Sequence, residues 1–207
     1  MLVKMSLEEF GAVLGSDAPA PGGGSVAALS GALGAELVAM VCRLSIGKKG
    51  YESFTDELNA ALPKADVLAA GLLRRVDLDT EAFNAVMAAF KLPKETDDDK
   101  QKRTAAIQNG YKEAVQSPLS IAKECVDVLE LSQSLLGKSN SNALSDLGVA
   151  SQQAYAGLEG AIMNVRINLP SIKDDGFKSQ ISAEIGQLLK QGQEAKEHVY
   201  KFVSDNL

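Results

Sequence analysis

Leu72-Leu73-Arg74-Arg75-Val76-Asp77-Leu78-Asp79-Thr80-Glu81-Ala82-Phe83-Asn84-Ala85-Val86-Met87-Ala88-Ala89-Phe90 is the stretch whose reading decides the fold. Leu72, Val76, Asp79, Phe83, Val86 and Phe90 advance by alternating steps of four and three, the spacing of one helix face. A strand, with its period of two, cannot produce that pattern. One member of the stripe, Asp79, is a carboxylate. Asp77 falls on another side, with Leu73, Thr80 and Asn84, where solvent can reach it. A carboxylate on an apolar face costs stability unless it is paired, and its pKa tends to rise. Two roles therefore stand open for Asp79: a buried hydrogen bond between helices, or a general acid/base.

The helical period extends upstream to about Ser53, with Pro63 inside it as a kink or break, and downstream to Leu92 before Pro93-Lys94. Thr96 can cap the next helix, and Asp97-Asp98-Asp99 place negative charge in a first turn, where the dipole favours it. Helices are predicted at about 97–116 and 118–136, separated by Pro118, then a loop from Gly137 to Ser141. Another helix runs from near Asn142 to Leu169 before Pro170, and the last covers about 174–204. Toward the N-terminus, Ser6 and Glu9 form a capping box that opens a short helix with Leu7, Phe10, Val13 and Leu14 inward, ending near Gly15. A loop rich in Pro and Gly, Ser16 to Gly23, leads to a small-residue helix from about Gly24 to Ser45, closed by Gly47-Lys48-Lys49-Gly50. No alternating strand, tandem repeat or low-complexity linker interrupts this series. The reading is all-α: an antiparallel bundle of long helices forming a single domain over residues 1–207.

Hydrophobic residues make up 45% of the chain but aromatics only 5%, with no Trp, so the core must be built from Ala, Leu, Val and Gly in close-packed helices. Ala27-Gly31-Ala35 and Ser30-Gly34 put small residues four apart, which lets a neighbouring backbone approach. With Glu36 inside it, the segment Gly24–Val41 suits a buried helix or subunit contact better than a membrane span. We expect it to form the interface of an obligate homodimer. A net charge of −6 argues against nucleic acid as the main partner. Cys42 and Cys125 sit in apolar stretches without CxxC spacing, as reduced thiols of an intracellular protein do. Met1-Leu2-Val3-Lys4 lacks the long apolar region of a signal peptide, so a cytoplasmic location is expected.

His198, the only histidine, lies in the charged segment Glu194 to Lys201, which leaves little basis for a Ser-His-Asp triad or a metal site; no metal is expected. A thiol enzyme built on Cys42 would lack a basic partner nearby in sequence. Pro21-Gly22-Gly23-Gly24-Ser25 heads a helix and offers exposed N–H groups. It serves either as a plain helix entrance or as a ligand loop. No strand precedes it and no Gly-Lys-Ser/Thr follows, so dinucleotide and Walker readings fail. Asn164 and Asn168, one turn apart, can bind the donor and acceptor edge of a ligand such as a pterin or tie helices together.

Taken in order, Pro21-Gly22-Gly23-Gly24-Ser25-Val26-Ala27-Ala28, Gly47-Lys48-Lys49, Asp77-Leu78-Asp79 with Ala82-Phe83, Leu92-Pro93-Lys94, Arg103-Thr104-Ala105, Ser145-Asp146 and Asn164-Val165-Arg166-Ile167-Asn168-Leu169 mark a resemblance covering nearly the whole chain. It resembles the formiminotetrahydrofolate cyclodeaminase/methenyltetrahydrofolate cyclohydrolase family. The resemblance implies an all-helical dimer whose folate site holds an essential aspartate, carried over to Asp79 with Asp77 as the lesser candidate. It implies no cofactor beyond the tetrahydrofolate substrate. Gly22, Gly23, Gly24, Ser25, Asp146, Asn164 and Asn168 become candidate binding residues, and Lys48, Lys49, Lys94, Arg103 and Arg166 candidate partners for a polyglutamylated tail. Where the family often has Gly-Asn before Ser-Asp, this chain has Ser139-Asn140. At 207 residues, no fused formiminotransferase domain is expected. The competing expectation is a non-catalytic helical module that binds folate or acts as a scaffold.

Overall fold

The computed structural model describes residues 1–207. Six α-helices carry the chain: α1 (Leu7–Leu14), α2 (Gly23–Ser45), α3 (Thr55–Phe90), α4 (Asp97–Ser134), α5 (Leu144–Asn168) and α6 (Asp175–Asn206). Four short 3-10 turns punctuate them, and there are no strands, so the all-α expectation holds. The sequence-predicted capping box of Ser6 with Glu9 forms, and Thr96 caps α4 as expected, with Asp99 completing a second box there.

Helices α2 to α5 make an up-down-up-down bundle. Gly31 of α2 meets Leu72 while Gly24 meets Asp79, so α2 and α3 are antiparallel. The same logic pairs Gly34 with Ala154 and Gly23 with Asn164 between α2 and α5, and Gly110 with Val86 between α4 and α3. α6 packs on α4 and α5, with Gly192 seated against Leu129 and Leu158. Consequently the N-terminus of α2, the C-terminal part of α3, the N-terminal part of α4 and the C-terminus of α5 share one end.

Ala, Val and Leu dominate the buried core, as the composition requires. Gly31, Gly34 and Gly157 form the tightest seam, where α2 and α5 cross with Cys125 of α4 behind them. Ala27 and Ala35 are buried there too. This corrects one expectation: the face of α2 spaced by Ala27, Gly31 and Ala35 packs inside its own chain, not against a partner, and Glu36 is exposed. α2 is also the one helix long and apolar enough to cross a membrane, but 61% of its most apolar window is buried in the bundle.

A second correction concerns proline. The expected break at Pro118 is absent, because α4 runs unbroken from Asp97 to Ser134, and α3 likewise runs through Pro63. Pro118 has no N–H for the carbonyl four residues back, that of Ala114. Asn168 of α5 supplies the missing donor, its Nδ2 lying 3.3 Å from Ala114 O. A side chain from a neighbouring helix thus keeps the helix whole.

The seam yields a contrast between two glycines. A Cβ on Gly157 would lie 2.8 Å from both Ala27 O and Cys125 Sγ and 3.0 Å from Gly31 N, whereas one on Gly186 would meet nothing within 4 Å. Gly157→Ala should therefore lose about 1–3 kcal/mol or more in urea denaturation through overpacking. Gly186→Ala should gain up to about 1 kcal/mol from helix propensity. Equal stabilities for the two variants would contradict this packing.

Candidate active site at the end of the bundle

Asp79 lies three turns from the end of α3 and faces the first turn of α2. Gly24 touches its carboxylate so closely that a Cβ there would overlap all three carboxylate atoms. The backbone N–H of Ser25 is aimed at the carboxylate and favours its charged form. Beneath this contact, Ser25 Oγ donates to Val76 O at 2.8 Å and lies 3.3 Å from Thr80 Oγ1, fastening α2 to α3. Burial pushes the Asp79 carboxyl above the ordinary carboxylate range, and the Ser25 N–H pulls it partly back. The partial positive charge at the start of α2 acts in the same direction as that N–H.

The carboxylate opens into a cavity of about 230 Å³ lined by Asp79, Ala82, Phe83, Val86, Met87 and Phe90 of α3, Tyr111 and Ala114 of α4, and Asn164 and Asn168 of α5. It occupies the corner that α2 leaves vacant by starting only at Gly23. Phe90 and Tyr111 meet edge to face, with centroids 6.2 Å apart. Asn164 donates to Gly160 O and Asn168 to Asn164 O, both at 2.9 Å, which leaves each amide's Oδ1 as an acceptor. Asn168 therefore both ties helices and lines the cavity. Larger hollows exist elsewhere, the largest between α3 and α4 around Pro63, Val67 and Leu131, but none contains Asp79 or the glycine turn.

The other sequence candidates divide sharply. Gly22, Gly23, Gly24 and Ser25 stand at the site, Gly23 against the Asn164 amide. Arg103 sits behind the aromatic wall, 5.7 Å from the Phe90 ring centroid and bonded to Phe90 O. Lys94 is exposed in the loop between α3 and α4 at this end. Asp77 does not reach the cavity: it accepts from the N–H of Leu2, and its Oδ2 is buried without a partner. Its side is closed by the N-terminal turn Leu2–Lys4, not open to solvent as the helical phase suggested. Arg166 points away from Asn164 and Asn168, into a separate hollow with Lys178 and Ser182. Lys48, Lys49 and Asp146 belong to the opposite end, where Lys48 Nζ donates to Asn140 Oδ1 at 2.8 Å. The sequence reading missed Tyr111, although Ile107, Tyr111, Ala114 and Pro118 continue a three-four spacing that marks the inner face of α4.

Neither cysteine offers a reactive thiol. Both are free and buried, and burial pushes the Cys42 thiol up to about 11 and that of Cys125 higher still. No three His, Cys, Asp or Glu side chains converge into a metal-holding group.

A helical bundle whose end pocket holds one half-buried carboxylate against a glycine helix start is the class of protein that fold and site define. Comparison with known proteins narrows it: the chain matches the formiminotransferase-cyclodeaminase family over residues 6–187, and it belongs to that family. It is 41% identical to a methenyltetrahydrofolate cyclohydrolase of Methylorubrum extorquens, over 98% of this chain and 97% of that one. It is 39% identical to the formimidoyltransferase-cyclodeaminase of Sus scrofa over 94% of this chain, but spans only 36% of that longer protein. The crystal structure of a formiminotetrahydrofolate cyclodeaminase from Thermotoga maritima superposes with a TM-score of 0.90 at 27% identity, covering 99% of this chain and 98% of the other.

The raised carboxyl of Asp79 has a consequence for stability. A folded-state pKa above the unfolded value means that ionising Asp79 costs stability; its contribution is whole below about pH 4 and is lost as pH rises through the raised value. Asp79→Asn removes the penalty and keeps an oxygen for the Ser25 N–H. The variant should melt at a higher temperature than wild type at neutral pH, with the difference shrinking toward pH 4. A variant less stable at neutral pH would show that the carboxylate is fully compensated.

Proposed function

We propose that this chain is a folate one-carbon enzyme acting at the N5/N10 bridge of tetrahydrofolate, with Asp79 as general acid/base. The carrying observation is the lone carboxylate held half-buried at the mouth of an apolar pocket, its pKa raised by that burial. Hydrolysis of 5,10-methenyltetrahydrofolate is the reading favoured by the relative of matching length at 41% identity. Cyclodeamination of 5-formiminotetrahydrofolate is the second reading, supported by the superposing Thermotoga maritima structure.

Both reactions pass through a tetrahedral carbon between N5 and N10. In hydrolysis, water adds to the methenyl carbon and gives one proton to the Asp79 carboxylate; Asp79 passes that proton to N5 as the carbon–N5 bond breaks, and the remaining hydroxyl proton is released to solvent as the C=O of 10-formyltetrahydrofolate forms. In cyclodeamination, N10 adds to the formimino carbon and loses its proton, and the departing nitrogen takes one up and leaves as ammonia. A carboxyl whose pKa is raised toward the working pH is the better placed both to accept and to donate a proton, and general acid/base catalysis contributes roughly 10²–10⁴ in rate. Phe83, Met87, Phe90 and Tyr111 provide apolar walls for the flat pterin, and the free Oδ1 atoms of Asn164 and Asn168 match its N–H donors. No cofactor beyond the folate and water is needed for this chemistry. A scaffold, by contrast, gains nothing from a costly carboxylate at a cavity mouth.

The test is an assay of purified protein with each folate, following the methenyl absorbance. Turnover of at least one is expected, with Asp79→Asn lowering it about 10²–10⁴-fold in a folded protein. Inactivity toward both would refute the folate reading, and near-normal turnover by Asp79→Asn would refute the role of Asp79.

A further inference from the structure

The walls of the Asp79 pocket are not equally secure. Val86 is buried and Tyr111 packs against the core. Phe90 lines the same cavity from the last position of α3, with 41% of its surface exposed. A side chain at a helix end frays with the last turn unless something ties it down, because the final carbonyls have no helical donors. Past Phe90, the N–H groups of Lys91 and Leu92 turn back to Ala88 O and Ala89 O. Neither reaches the carbonyl of Phe90.

That carbonyl is taken by Arg103, in the second turn of α4. Its Nε and Nη2 both donate to Phe90 O, at 3.3 and 3.2 Å, and its guanidinium carbon stands 5.7 Å from the centroid of the Phe90 ring. The ring in turn meets Tyr111 edge to face. One side chain thus holds both the backbone and the ring of Phe90. The acids at the start of α4 do not compete for it: Asp97 pairs with Lys100, Asp98 with Lys102, and Asp99 bonds Thr96 in the capping box that fixes this end of the helix. Arg103 itself is not among the residues that line the cavity.

We propose that Arg103 is a positioning residue: it clamps Phe90 in place as an apolar wall of the Asp79 pocket and acts on the ligand only through that ring. This role rests on the folate reading, in which the wall packs on the pterin, and it differs from holding a glutamate tail. Arginine suits the task because a guanidinium bonds one carbonyl through two nitrogens of its plane while standing close to a ring, whereas the ammonium of lysine is a point charge. An apolar wall binds ground state and transition state alike, so its loss raises KM and leaves kcat in place. Proton transfer at Asp79 is untouched, and the pH profile keeps its shape.

Two measurements decide the matter. In the free protein, NMR contacts between the ring protons of Phe90 and Tyr111 should be present in wild type and weaken in both Arg103→Gln and Arg103→Lys. Unchanged contacts in the two variants overturn the clamp whatever the substrate proves to be. With the folate that the wild type turns over, Arg103→Gln should raise KM about tenfold at unchanged kcat, the size expected for one cation–π contact and its hydrogen bonds. The factor should be the same for monoglutamate and pentaglutamate forms, and in a Phe90→Leu background Arg103→Gln should add nothing further. A loss that grows with the number of glutamates, or one that persists in full without the Phe90 ring, means that Arg103 holds the tail itself and overturns the proposal. A fall in kcat with KM unchanged reduces Arg103 to a plain helix cap and overturns it too. A wild type inactive on both folates refutes the folate reading, and the ring contacts then decide the clamp by themselves.

Discussion

The contact between Gly24 and the Asp79 carboxylate is the constraint on which the rest of the structure depends. It demands a residue without a side chain at the head of α2, and it demands that α2 and α3 lie close enough for a carboxylate to rest on backbone. The Ser25 N–H, unpaired because it belongs to a first helical turn, is aimed at the half-buried carboxylate and favours its charged form. That one arrangement explains the glycine run, the Ser25 bonds to Val76 and Thr80 that lock the two helices, and the small residues farther along α2 that keep the helices close.

A second dependence links packing to the pocket through proline. Pro118 leaves the Ala114 carbonyl without its helical donor, and Asn168 fills the vacancy while also standing in the wall of the cavity. Removing the Asn168 amide would therefore expose an unpaired carbonyl within a long helix and alter the pocket at once. Functional and structural roles are not alternatives for this side chain: the same amide carries both.

Much of this was legible in the sequence because helices are local objects. The three-four stripe from Leu72 to Phe90 located Asp79, the Ser6 and Thr96 caps located two helix starts, and the scarcity of large side chains anticipated the Ala and Gly core. What the sequence withheld was relational. Lys48, Lys49 and Asp146 look like companions of Asp79 when motifs are read in order, yet an up-down bundle places the turn after α2 a full helix length from the turn before it. Arg166 was misplaced for a simpler reason. Two residues along a helix is a rotation of about 200°, so it cannot share a face with Asn164. Asp77 finds its partner in the N-terminal turn at Leu2, a contact no local pattern announces. Nor did propensity foresee that a side chain 50 residues downstream would rescue Pro118.

The central claim is that the start of α2 and the apolar pocket together hold Asp79 as a proton-transfer group with a raised pKa. It is tested most directly by NMR titration of the Asp79 side-chain carboxyl carbon, identified by its absence in Asp79→Asn, alongside the pH dependence of kcat/KM. The account predicts a midpoint above the ordinary carboxylate range that coincides with an inflection in the rate profile. An Asp79 that titrates at the ordinary value, or a rate profile indifferent to its ionisation, would contradict it.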